Sequence, residues 1–204
     1  MPVLALALYL AFIAVAFGLR TAIQIRRTGS SGVHRLSGPP GSAEWLAGVG
    51  FFVALGLGFA APLLALLGVV EPIGALDATA VHVAGAVLAI AGIVATFLAQ
   101  LAMGASWRVG VDPEERTALV TDGPFALVRN PIFSAMGPAT LGLVLLVPSW
   151  IALVAFVGLL AAIELQVRAV EEPHLLRTHG AAYVDYAMRV GRFVPSVGRL
   201  NGLP

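Results

Sequence analysis

Five apolar runs, at roughly residues 2–19, 45–70, 80–103, 132–147 and 150–163, leave this chain few ways to fold. A helix needs about 20 apolar residues to cross a bilayer, and the first three runs have that length. The last two are shorter. Only Pro148 and Ser149 separate them, and Gly137-Pro138 interrupts the first, which predicts a tight, kinked helical hairpin. With 59% hydrophobic and 11% charged residues and a mean hydropathy of +0.93, the chain belongs in a bilayer. The expected fold is all-α: a polytopic membrane protein of about five transmembrane helices, the last two forming the short hairpin. A cytoplasmic loop and a C-terminal interfacial helix complete it. One membrane domain covers residues 1–204, with a three-span anchor at 1–103 and the polar clusters in 104–204.

Every basic side chain is an arginine. They follow span one (Arg20, Arg26, Arg27, Arg35), lie between spans three and four (Arg108, Arg116, Arg129), or come from Arg168 onward. The segments from Glu71 to Thr79 and at Pro148-Ser149 carry none. The positive-inside rule then predicts an N-terminus outside, and a first loop, third loop and C-terminus in the cytoplasm. Because the arginines follow the first apolar run, that run reads as a retained span rather than a cleaved signal. The stretch from Thr28 to Ser42, rich in Gly, Ser and Pro, reads as a connector. Small residues at four-residue spacing (Gly50, Ala54, Gly58; Gly85, Ala89) let helices approach closely in lipid, and packing within the chain is their expected use.

A formal net charge of +1 argues against nucleic acid as a partner. The absence of cysteine removes disulfides and thiolate chemistry. His34, His82, His174 and His179 lack metal-ligand spacing, and no G-x-S-x-G or Walker-type loop occurs, so neither a metal nor a P-loop is expected. Polar residues gather in two places. In the third loop, Asp112-Pro113-Glu114-Glu115 has the order of a helix start, Asp122-Gly123-Pro124 marks a sharp turn, and Asn130 precedes a proline that should open the next helix. Beyond the last apolar run, Glu164 and Arg168 pair at i,i+4, and Arg168 can also reach Glu171 or Glu172. An acid at the hydrocarbon edge is costly unless paired or facing a polar cavity, which makes this segment a functional candidate. Tyr183 and Tyr186, among arginines, suit an interfacial helix with rings inward and hydroxyls toward the headgroups.

Taken in order, these segments carry a family pattern: Leu119-Val120-Thr121-Asp122-Gly123-Pro124, then Arg129-Asn130-Pro131-Ile132-Phe133, an apolar hairpin, and Arg168-Ala169-Val170-Glu171-Glu172. Gly180, Tyr183, Tyr186, Arg192 and Pro195 follow. The chain from about 105 to 195 thereby resembles the isoprenylcysteine carboxyl methyltransferase family and the related phospholipid methyltransferases. The resemblance implies a membrane methyltransferase whose catalytic half is 104–204. It implies S-adenosylmethionine as cofactor at the cytoplasmic surface, and a lipophilic small molecule or lipid, with a carboxyl group favoured, arriving sideways from the bilayer. By the same resemblance Thr117, Ala118, Leu119 and Val120 would hold the adenine, with Phe125 packing nearby. Asn130, Pro131, Ile132 and Phe133 would line the cofactor, and Glu171 would meet its polar groups. Arg129 would act catalytically by orienting an anionic substrate, with Arg168 as the substrate-binding residue. Asn130 stands where the family has histidine, and Phe133 where it has tyrosine. Methyl transfer from a sulfonium is an in-line displacement, so alignment in a dry pocket supplies much of the rate, and a carboxylate nucleophile needs no general base. The alternatives are a membrane reductase of sterol-reductase type using NADPH, and a non-catalytic scaffold or lipid-binding protein.

Overall fold

The computed structural model describes residues 1–33, 38–110 and 117–200. The helix start expected at Asp112-Pro113-Glu114-Glu115 lies outside them, as do Arg35 and Arg116. The described residues form six helices: α1 (Pro2–Thr28), α2 (Ala43–Leu66), α3 (Thr79–Ala102), α4 (Pro131–Leu146), α5 (Trp150–His179) and α6 (Ala181–Arg189). Among these residues no strand forms; two isolated parallel bridges join Val33 to Val109 and Val128 to Gly191.

The helix ends follow local chemistry. The Ser42 hydroxyl caps α2 by accepting from Trp45 N at 3.2 Å, and Ser149 caps α5 by accepting from Ala152 N at 3.3 Å. Pro131 opens α4 where its missing N–H costs nothing, and Asn130 before it is non-helical, at φ −125° and ψ 60°. Gly29, at φ 78°, closes α1 in the left-handed conformation.

Helices α1, α2, α3 and α5 are long and apolar enough to cross a membrane, whereas α4 has 16 residues. At about 1.5 Å per residue, α4 spans roughly 24 Å, less than the hydrocarbon core. The chain is an integral, multi-pass membrane protein. The expected hairpin is present, with Pro138 inside its first arm, but the second arm runs on far past Ile163. Residues Val167–Glu171 form a π-helical turn within α5, and the helix continues to His179. The polar end of the last span is helix, as the i,i+4 pairing of Glu164 with Arg168 implies, which fixes the direction of each of its acids.

Two helix pairs make the body of the fold: α3 packs along α4, and α2 along α5, with α1 touching both. Small residues permit the first pairing. A Cβ on Gly85 would sit 2.8 Å from Gly142 O, and one on Gly92 or Gly142 would run into the backbone of Ala139 or Ala89. In α2, Gly50 faces Ala162, and Gly58 faces the Tyr9 ring. Phe12 and Ala16 of α1, Ala54 of α2, Met136 of α4 and Leu159 and Ile163 of α5 form the shared core. Val83, Val87, Ile90, Val94 and Leu98 of α3 stay exposed at three- or four-residue spacing, a face suited to lipid.

Candidate active site

The site begins where α4 does. Gly123, at φ 56°, turns the third loop into a short 3-10 segment that ends at Ala126. The chain then runs beside the C-terminal tail: Arg129 N donates to Gly191 O at 2.8 Å, Asn130 N to Arg192 O at 3.1 Å, and the Ser134 hydroxyl to Phe193 O at 2.7 Å. The Asn130 amide adds a bond from Nδ2 to Arg192 O at 3.1 Å. At this position the side chain works as a donor to backbone, a role that requires no titratable proton.

A buried ion triad locks this junction. Glu172 accepts from Arg129 Nη2 at 2.6 Å and, through both oxygens, from Arg192 Nε and Nη2 at 2.8 Å each. Arg129 also donates to Ala187 O at 3.1 Å, Val190 O at 2.6 Å and Gly198 O at 3.1 Å. One guanidinium thus ties the mouth of α4 to α5, α6 and the tail. The bidentate carboxylate holds the Arg192 guanidinium above its usual pKa. Both terminal nitrogens of Arg129 are committed to these contacts, while its Nε is buried without a partner and the residue also lines the cavity described below. Arg168 is farther removed. Its Nε bonds the Glu164 carboxylate on the outer face of α5, its side chain is 59% exposed, and it does not line the cavity described next.

The tyrosines of α6 depart from the sequence expectation. Tyr183 and Tyr186 are 1% and 4% exposed, and the Tyr186 hydroxyl donates inward to Phe125 O at 2.6 Å. Headgroup contact is replaced by docking on the third loop, because the tail folds back over that loop. Burial pushes the Tyr186 hydroxyl up to about 12 and raises Tyr183 as well.

A cavity of about 230 Å³ opens beneath this junction. Thr117, Ala118, Leu119 and Val120, in a stretch with no regular structure, line one side, and Phe125 closes over it. Asn130, Pro131, Ile132 and Phe133 line the floor, with Glu171 and Gln166 of α5 on the wall. All ten residues expected around a cofactor therefore face one space. The adjacent acids separate: Glu171 turns to the cavity while Glu172 enters the triad. Arg108 lines the cavity too, donating to the Thr117 hydroxyl at 2.7 Å. The cavity continues between α1 and α2, where Phe17, Ala47, Gly48, Phe51 and Phe52 make it apolar. Phe52 is 58% exposed at its rim.

Sequence reasoning missed a second buried network. Arg20, read as a topology signal, is fully buried. Its Nε donates to Gln100 O at 3.3 Å, Nη1 to Gln24 Oε1 at 3.0 Å and Nη2 to Gly104 O, and its guanidinium lies 4.5 Å from the centre of the Trp107 ring. Gln24 donates to Ala105 O at 2.8 Å and Gln100 to Ala16 O at 3.0 Å. Gln100 inside an apolar run, and Arg20 and Gln24 one turn apart just past the end of another, were the available signal. Among the described residues no group of His, Asp and Glu could hold a metal ion.

Residues 80–182, half of the chain, match the model of the phospholipid methyltransferase family. Among solved structures, the fold is similar to that of the eukaryotic intramembrane Ras methyltransferase ICMT (isoprenylcysteine carboxyl methyltransferase). The TM-score is 0.57 and the sequence identity 22%, over 93% of this chain and 66% of that one. This chain thus spans about 66% of the length of that enzyme, and the likeness speaks for the fold. No curated protein matches the chain in sequence.

Proposed function

The chain belongs to the phospholipid methyltransferase family, and from that membership we propose that it is an S-adenosylmethionine-dependent methyltransferase acting on a lipophilic acceptor. The observation that carries the reading is the convergence of Thr117–Val120, Phe125, Asn130–Phe133 and Glu171 on one cavity that also has an apolar arm between α1 and α2. The donor set fits the cofactor. An aromatic ring and irregular backbone suit a flat base, and a carboxylate suits hydroxyl or ammonium groups. When bound, the cofactor supplies a methyl group on a sulfonium. The chain would supply position: Phe125, Tyr186 and Asn130 line the cavity, Asn130 is tied to the tail, and the apolar arm would align the acceptor.

Arg20 of α1 bonds Gln100 O at the end of α3, Arg108 and Arg129 line the cavity beside them, and Ile73 N and Pro148 O pair at the opposite ends of the helices. This supports a cytoplasmic active site and an outer N-terminus by the positive-inside rule. A preference for carboxyl acceptors rested on Arg129 and Arg168 as anion ligands. Arg168 lies outside the cavity and is not retained in that role; Arg129 lines the cavity with its Nε unpartnered while its two terminal nitrogens are held by Glu172 and carbonyls, so it alone is kept as an anion ligand in this reading.

Thermal unfolding of the detergent-solubilised chain tests the reading. S-adenosylhomocysteine should raise the melting temperature with the logarithm of its concentration, and reduced nicotinamide dinucleotide should not. A rise with the dinucleotide alone would replace this reading with the reductase.

A further inference from the structure

The Gln100 side chain is 4% exposed and lines the cavity where α1 and α3 meet, yet its Oε1 has no hydrogen-bond partner. Its orientation is settled by its other half. Nε2 donates to Ala16 O at 3.0 Å, beside the π-helical turn Ala14–Leu19 of α1. Turning the amide over would set a carbonyl against a carbonyl and forfeit that bond. None of the network's donors meets Oε1 in this structure: Arg20 donates to Gln100 O, Gln24 Oε1 and Gly104 O, and the Thr96 hydroxyl, one turn back on α3, donates to Gly92 O at 2.8 Å. A buried acceptor left unmade is expensive, and because the residue that carries it lines the cavity, a ligand there can bring the donor.

We propose that Gln100 is a specificity-determining residue whose Oε1 accepts a hydrogen bond from an O–H or N–H on the polar head of the lipophilic acceptor. The inference rests on the methyltransferase reading and deepens it. Heads that carry a donor, such as alcohols and amines, satisfy Oε1. A bare carboxylate has no donor and meets the negative end of a carbonyl dipole held in a low-dielectric site. The aromatic arm formed by Phe17, Phe51 and Phe52 receives the apolar chain, and Gln100 reads the head.

The test uses the full chain in detergent, saturated with S-adenosylhomocysteine, with dodecanol, dodecylamine and dodecanoate as probes at equal concentration. Wild type should bind the alcohol and the amine about tenfold more tightly than the carboxylate, the worth of one buried hydrogen bond. Gln100→Met, close in shape and lacking the acceptor, should lose that selectivity and keep its response to S-adenosylhomocysteine. Equal binding of the three probes by wild type, no binding of any, or selectivity that survives in Gln100→Met would overturn the proposal. A purely structural Gln100 would lower the melting temperature on substitution without moving selectivity. Should Gln100→Met fail to fold, wild type is tested with dodecanol and its methyl ether, two neutral heads that differ in the donor; equal binding of the two would overturn the proposal. Failure of S-adenosylhomocysteine itself to bind would count against the methyltransferase reading, a separate result.

Discussion

Glu171 and Glu172 are adjacent in sequence and part company in the fold: Glu171 lines the cavity, and Glu172 is clamped between Arg129 and Arg192. The π-helical turn ending at Glu171 lies immediately before this divergence. One carboxylate therefore faces the cavity and the other is part of the architecture.

Removing Glu172 should damage the fold. Glu172→Ala leaves the buried Arg129 and the partly buried Arg192 without their anion, and breaking a buried pair such as Arg129–Glu172 costs about 3–5 kcal/mol. The expected result is a large drop in melting temperature with or without ligand, read by thermal unfolding in detergent. Unchanged stability would show that the triad contributes nothing.

Arg168→Ala should do little. Its pairing with Glu164 is a surface contact, and such pairs contribute about 0–1 kcal/mol. Stability and S-adenosylhomocysteine affinity should both stay near wild type in a binding titration. A tenfold loss of affinity would restore Arg168 to the site.

Tyr186→Phe removes the hydrogen bond to Phe125 O at 2.6 Å and should destabilise by about 1 kcal/mol. The same tyrosine predicts a pH dependence. Its hydroxyl titrates near 10 when unfolded and about 12 when folded. The unfolded state therefore loses its proton first, and stability is full below pH 10 and falls as pH rises toward 12. Wild type should show this alkaline fall more steeply than Tyr186→Phe in melting curves across that range.

Gly92→Ala should separate α3 from α4, since its Cβ would meet the Ala139 backbone, which cannot swing aside. Overpacking of this kind costs about 1–3 kcal/mol. Gly56→Ala, where a Cβ meets nothing within 4 Å, is the matched control and should be neutral or slightly stabilising.

Much of this was legible in the chain because apolar run length and proline placement act locally. The runs located the spans, and Pro131 marked the start of α4. The order of motifs also brought together ten residues that the fold places on one cavity. What sequence could not resolve was direction. Arg129, Arg168 and Glu172 are equally charged on paper, and only the folding of the tail over the third loop decides that Arg129 and Glu172 become internal ties and Arg168 stays outside. The inward turn of Tyr183 and Tyr186 has the same origin. Arg20 was hidden for a different reason, because a topology rule counts charges without asking what they touch. Its acceptors, Gln100 O and Gly104 O, lie far along the chain.

The central claim is that the cavity beside Glu171 binds the methyl donor, and equilibrium titration of S-adenosylhomocysteine against wild type and Glu171→Gln tests it most directly. Wild type should bind, and Glu171→Gln should bind at least tenfold more weakly while melting close to the wild-type temperature, since a charge-assisted hydrogen bond is worth about 1.5–3 kcal/mol. Equal affinity in the two proteins, or no binding by wild type, would contradict it.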